Sequence, residues 1–186
     1  SMVIAAQLVR LAHEAGIPSD AFQLIFGRGE TVGAALVRHP RIQTIAFTGS
    51  RAVGLEIYRE AGVTHPGQPE LKRVICEMGG KNALIVDNDA DLDEAVVGIV
   101  KSAFGFAGQK CSACSRVIIV DPLYDELVER LVNAALSLQV GEARDRSVAF
   151  GPVIDEESFN RIKDRIEEGY TRGKVLVGGV VSNVEG

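Results

Sequence analysis

Short apolar runs alternate with helical segments between residues 22 and 80, and that alternation leaves few folds open. FQLIFG (22–27) is a mostly apolar run ending in glycine, as a buried parallel strand would be. TVGAALVRH follows as a short helix and IQTIAFTGS (42–50) as a second strand. RAVGLEIYREAG (51–62) reads as a helix with Val53, Ile57 and Ala61 on one side. After the loop THPGQPE, LKRVICEMGG carries a third strand. Strand, helix, strand, helix, strand predicts an α/β fold built on parallel sheet. Ahead of it, Ile4, Leu8, Leu11, Ala12 and Ala15 recur at helical spacing; Gly16 ends that helix and Pro18 prevents its return.

The alternation resumes with different spacing. NALIVD (82–87) is a strand, and Asp91 is placed to cap a helix with Leu92, Ala95, Val96, Ile99, Ala103 and Phe104 on one face. SRVIIVD (115–121) is a strand, and Pro122 opens the helix LYDELVERLVNAALSL. EESFNRIKDRIEEG reads as an exposed amphipathic helix and KVLVGG (174–179) as a last strand. The domain seam is expected at Gly79-Gly80, where the chain can turn sharply. Ser1-Met2 resembles the remnant of a cleaved tag, and a chain that then opens inside a helix reads as a piece of a longer protein.

Composition narrows the function classes. The chain has 186 residues, 46% hydrophobic and 24% charged, with a net charge of −5 and no Lys/Arg-rich block. Nucleic acid and anionic membrane both reward basic patches, so neither is the expected partner. No apolar run approaches the ~18–20 residues that span a bilayer, and VIAAQLVRLAHEAG lacks a signal-peptide pattern. Three cysteines in a chain of this length make no disulfide framework, which suits a reducing, cytoplasmic setting.

Four stretches can carry chemistry. FTGSRAVG places Gly49, Ser50 and Gly54 where a strand hands over to a helix, a geometry that aims N–H groups and a positive helix end at a phosphate. FGRGETVG, with Gly27, Gly29 and Gly33, is a near miss to the dinucleotide fingerprint with one extra residue. Backbone geometry alone also explains glycines at such turns. In ICEMGGKN, Glu77 ends an apolar strand: it is either an ordinary solvated residue or, facing a cleft, a carboxylate suited to accept a proton.

FGFAGQKCSACSR (104–116) holds Cys111 and Cys114. Zinc needs about four nitrogen or sulfur ligands, and beyond this pair only Cys76 and the scattered His13, His39 and His65 are present. No metal is therefore expected. A dithiol redox motif normally opens a helix after a strand, whereas this pair precedes RVIIV with the long helix on its N-terminal side. Two readings stay open: a pair of buried, inert cysteines, or one exposed thiol on a turn acting as nucleophile.

In this order, FTGS (47–50), EMGGKN (77–82) and FGFAGQKCSACSR resemble the aldehyde dehydrogenase superfamily. The family pattern Gly-Gln-x-Cys lands on Gly108-Gln109-Lys110-Cys111, and Glu-x-Gly-Gly-Lys lands on Glu77 to Lys81. The resemblance covers essentially the whole chain. It implies an aldehyde dehydrogenase-like fold, only partly covered here: residues 3–78 as the C-terminal half of the NAD(P)-binding domain and 79–186 as the N-terminal half of the catalytic thiol domain. It implies Cys111 as nucleophile and Glu77 as general base, with Cys114 not catalytic. Gly49 and Ser50 would contact the pyrophosphate, Gly27 and Gly29 would lie beside the adenosine, and the Met78 carbonyl would meet the nicotinamide amide. The implied reaction is thiolate attack on an aldehyde, hydride transfer to the cofactor, and hydrolysis of the thioester by water that Glu77 activates.

GQPELKRVICEMGGKNALIVD and SAFGFAGQKCSACSR are similar, more narrowly, to the Δ1-pyrroline-5-carboxylate dehydrogenases, which oxidise L-glutamate γ-semialdehyde in proline breakdown. There the serine after the nucleophile, here Ser112, helps hold the substrate carboxylate. The implied cofactor is NAD, with NADP left open because the ribose-contacting segment is not in this sequence. The second oxyanion donor, the nicotinamide-ribose segment and the oligomer-building strand also fall outside it, so residues 1–186 alone are expected to be inactive. The full-length enzyme is expected to be a homo-oligomer or fused to a proline dehydrogenase. The competing reading is a non-catalytic relative or scaffold on the same fold.

Overall fold

The helical spacing at the start of the chain forms α1, Met2–Glu14. Gly16 follows at φ 100°, a left-handed turn that costs glycine little. A computed structural model describes residues 2–181. It divides into two units, one ending at Met78 and the other beginning at Gly79. Each is considered in its own frame.

In the first unit the run 22–27, expected to be a strand, joins no ladder. Strand β1 (Thr44–Thr48) pairs with β2 (Arg73–Glu77) in a two-stranded sheet, and neither takes a further neighbour among the described residues. An apolar run becomes a strand only where a neighbour supplies hydrogen bonds; here the Phe22 carbonyl instead accepts from His13 Nε2 at 2.7 Å. The next segment begins with a wide turn, Gly29–Gly33, in which the Arg28 carbonyl accepts from the N–H groups of Thr31, Val32 and Gly33. That turn runs into α2, Ala34–Arg38.

β1 and β2 are parallel, in register from Thr44 opposite Arg73 to Thr48 opposite Glu77. Between them α3, Arg51–Ala61, makes the crossover. Its buried stripe is Gly54, Ile57 and Ala61, not the expected Val53, Ile57 and Ala61. Val53 stays 44% exposed. The stripe is rotated because Met78 packs against Gly54: a Cβ there would lie 2.7 Å from the Met78 Sδ.

The second unit follows the sequence more closely. Strand β3 (Asn82–Val86) leads to α4 (Leu92–Phe104), and Asp91 caps that helix by accepting from the N–H groups of Asp93 and Glu94. β4 (Cys114–Ile119) pairs parallel with β3. Pro122 lies in a single 3-10 turn that opens α5, Tyr124–Leu136. Val86, Ile99 and Leu127 form the core, flanked by Leu84, Leu92, Ala95, Val96, Val117 and Ile119. Ala103 and Phe104, expected on the same face, instead line a groove beside Phe150, Phe159 and Ile166. The amphipathic segment forms α6, Glu156–Arg172, with Asp155 accepting from the Ser158 N–H.

Residues 174–179 are not the expected strand. They join no ladder, and Gly178 and Gly179 take φ 81° and 79°, which breaks an extended run. A parallel bridge between Val140 and Phe150 was not foreseen. No helix among the described residues is long and apolar enough to cross a membrane.

Leu127 is fully buried. Leu127→Ala leaves a cavity that α4, α5 and the sheet cannot close, and is expected to cost roughly 2–5 kcal/mol. A lowered urea midpoint of unfolding measures it.

Candidate active site

In a parallel sheet the carboxyl ends of the strands are where ligands bind, because chain direction gathers loops and helix N-termini there. In the first unit that end brings together the predicted cofactor turn and the predicted base. The Gly49 N–H donates to the Glu77 carbonyl at 3.1 Å. Glu77, the last residue of β2, is exposed. Ser50 is the N-cap of α3, its Oγ accepting from the Val53 N–H at 3.3 Å. Its hydroxyl hydrogen stays available, and the N–H groups of Arg51 and Ala52, in the first turn, have no intrahelical acceptor. Those donors at a positive helix end suit an anion. A Cβ at Gly49 would meet the tip of the Phe47 ring, so any larger residue there would have to displace that ring.

Gly27 and Gly29 flank the start of the wide turn. Val32 fills the space a Cβ on Gly27 would need, while Gly29 faces open space. Gly27 is therefore a packing requirement, and Gly29 leaves the N-terminal edge of the turn unobstructed. The Met78 side chain is committed to Gly54, which leaves its main chain as the part able to meet a ligand.

The second unit presents the thiol. Lys110 to Ala113 form a tight turn closed by the Ala113 N–H on the Lys110 carbonyl at 3.2 Å, with Cys111 and Ser112 at its corner. Cys111 is exposed, Cys114 is buried and Cys76 lies between the two. At the corner, the Cys111 N–H donates to no backbone acceptor among the described residues. Cys114 opens β4, its Sγ donating to the Arg116 carbonyl at 3.2 Å and its N–H to the Ser102 Oγ at 3.2 Å. The two sulfurs therefore differ in kind: one points out from a turn and the other is part of the packing.

The turn is approached through strained backbone. Phe106 and Ala107 both take left-handed conformations, at φ 57° and 55°, and Gly108 follows at φ 69°. Two non-glycine residues in that region cost about 1–2 kcal/mol each, and such outliers cluster at functional sites. Gln109 clamps them. Its Nε2 donates to the Phe106 carbonyl at 3.2 Å and its Oε1 accepts from the Ile154 N–H at 3.0 Å. Sequence reasoning placed Gln109 in a motif but gave it no role.

Asn82 was missed altogether as a site residue. Its Nδ2 donates to the Cys111 carbonyl at 2.8 Å and to the Ala113 carbonyl at 3.1 Å. Gly80 makes room for this: a Cβ there would lie 2.8 Å from the Cys111 oxygen. A second glycine followed by a short amide was the available signal. Glu77 belongs to the first unit and Cys111 to the second.

This geometry has known counterparts. The sequence profile described as the aldehyde dehydrogenase family matches residues 1–186, and the chain belongs to that family. A 1-pyrroline-5-carboxylate dehydrogenase of Geobacillus kaustophilus (strain HTA426) is 48% identical over 184 residues, 99% of this chain and 36% of that protein. A crystal structure of 1-pyrroline-5-carboxylate dehydrogenase from Thermus with bound NAD superposes with a TM-score of 0.92 at 45% identity, covering 99% of this chain and 35% of that one. Proline utilization A (PutA) from Bdellovibrio bacteriovorus, in a structure inactivated by N-propargylglycine, gives 0.91 at 50% identity, over 96% of this chain and 19% of that one. The chain spans about a third of the length of the curated relatives it matches.

Gly80→Ala is expected to push the Cys111 carbonyl off its position, since backbone rather than a flexible side chain stands in the way. In the full-length enzyme this should lower kcat at least about tenfold with the fold retained, because small misplacements of reacting groups are costly. Steady-state kinetics beside circular dichroism measure it.

Proposed function

We propose that the full-length enzyme carrying this sequence oxidises L-glutamate γ-semialdehyde to L-glutamate with NAD, through a thioester on Cys111. The observation that carries this reading is the lone exposed thiol at the corner of a clamped turn, within a chain of the aldehyde dehydrogenase family. Cys111 is the nucleophile, and attack at an aldehyde carbon leaves an oxyanion that its own N–H, which donates to no backbone acceptor among the described residues, is suited to bind. Glu77, exposed at the end of β2, serves as general base for the water that hydrolyses the thioester. Ser112, exposed next to Cys111, is the donor for the substrate carboxylate. A hydroxyl beside the reacting carbon favours a polar, amino-acid-like aldehyde over an alkyl one.

A nicotinamide dinucleotide, when bound, supplies the hydride acceptor. The donor set at Gly49, Ser50 and the start of α3 fits its pyrophosphate. Gly27 and Gly29 are assigned to the adenosine side and the Met78 carbonyl to the nicotinamide amide. In this reading residues 3–78 are the C-terminal half of the cofactor domain and residues 79–186 the N-terminal half of the catalytic domain. NAD is preferred to NADP because the Thermus relative was crystallised with bound NAD. Assembly as a homo-oligomer, or fusion to a proline dehydrogenase, and a cytoplasmic location belong to the same proposal.

The full-length enzyme should reduce NAD with glutamate semialdehyde, and Cys111→Ala should abolish turnover while leaving NAD affinity nearly unchanged. Turnover retained in that variant would end the nucleophile assignment. The purified 186-residue chain should show no dehydrogenase activity in the same assay. Activity there would mean that the donors assigned to the rest of the enzyme are not needed.

A further inference from the structure

We infer that Asn82 is the positioning residue of the Cys111 turn, a role that rests on Cys111 being the nucleophile. A primary amide nitrogen carries two hydrogens, and here the two face two main-chain carbonyls, those of Cys111 at 2.8 Å and Ala113 at 3.1 Å. These carbonyls lie on either side of Ser112, so one side chain braces the turn across its corner.

The consequence is specific to the peptide planes. The Cys111 carbonyl fixes the plane between residues 111 and 112, and the Ala113 carbonyl fixes the plane between 113 and 114. Two planes remain: the one between 110 and 111, which carries the Cys111 N–H, and the one between 112 and 113, which carries the Ala113 N–H, and the Ala113 N–H bond to the Lys110 carbonyl at 3.2 Å ties them together. Asn82 thus immobilises the residue that in turn immobilises the oxyanion donor. It acts on where the thiol and that N–H point, and it touches neither.

Asn82 is itself held firmly enough to do this. Its carbonyl accepts from Ser115 Oγ at 3.2 Å, and the preceding Lys81 carbonyl accepts from Arg116 Nη2 at 2.9 Å. The β3–β4 ladder is irregular at this point: Asn82 stands opposite Cys114 and Ala83 opposite Arg116, so Ser115 is the extra residue. An irregularity of this kind re-aims side chains next to active sites. Gly80 completes the arrangement, since a Cβ there would lie 3.0 Å from the Asn82 Nδ2 as well as crowding the Cys111 oxygen.

The test is kinetic and uses the full-length enzyme. Asn82→Asp keeps the shape but sets acceptors against acceptors. A positioning role predicts a fall in kcat of about 10–100-fold with the KM for aldehyde little changed, and a slower alkylation of Cys111 by iodoacetamide measured by peptide mass spectrometry. Asn82→Ser, small and uncharged, should give an intermediate kcat. If Cys111→Ser is inactive while both Asn82 variants keep kcat within twofold, the inference fails and the nucleophile reading survives. If Cys111→Ser turns over, the nucleophile reading itself fails. An equal change in KM and kcat, or loss of fold in both variants, assigns Asn82 to substrate binding or to the scaffold and overturns the positioning role.

Discussion

The Asn82 amide reaches across to the Cys111 and Ala113 carbonyls, over a gap of 29 and 31 residues in sequence, and the Cys111 turn is braced by that reach. Hydrogen bonds between a side chain and main-chain carbonyls are worth only about 1 kcal/mol each in net stability, so their value here is geometric. They convert a tight turn, which would otherwise be free to rock, into a fixed platform for one sulfur. The glycine at 80 follows from the same requirement, because any side chain would fill the space that the contact occupies. Gln109 supports the other flank by holding the left-handed residues Phe106 and Ala107 in a conformation they would not keep alone.

The first unit solves a different problem by the same means. Parallel pairing of β1 with β2 sets Gly49 beside Glu77 at one sheet end, and the Ser50-capped start of α3 follows immediately. The donors at the start of α3 and a carboxylate are therefore neighbours by topology. Parallel sheets are usually covered on both faces, yet Ile75 on one sheet and Ile85 and Ile118 on the other stay 56%, 72% and 53% exposed. The described residues cover only one face of each sheet.

Much of this was legible in the sequence where the cause is local. Asp91 announced α4, Pro122 announced the start of α5, and the runs IQTIAFTGS (42–50), LKRVICEMGG (71–80), NALIVD (82–87) and SRVIIVD (115–121) announced the paired strands to within a few residues at their ends. What stayed hidden depends on partners. Residues 22–27 and 174–179 have strand composition but no neighbour with which to form a ladder. The left-handed turn was invisible because Phe106 and Ala107 are not glycine, and only tertiary clamps make them adopt it. Cys111 and Cys114 could not be told apart by spacing; burial separates them. Asn82 sits inside the motif EMGGKN, and nothing near it in sequence reveals what it holds.

The central claim is that the Cys111 sulfur bonds covalently to the aldehyde carbon. The most direct measurement is peptide mass spectrometry of the full-length Glu77→Gln variant, acid-quenched after mixing with NAD and glutamate semialdehyde. With the base removed and hydrolysis slowed, the account predicts an acyl adduct on the peptide bearing Cys111 and none on Cys76 or Cys114. An adduct on another cysteine, or normal substrate oxidation with none accumulating anywhere, would contradict it.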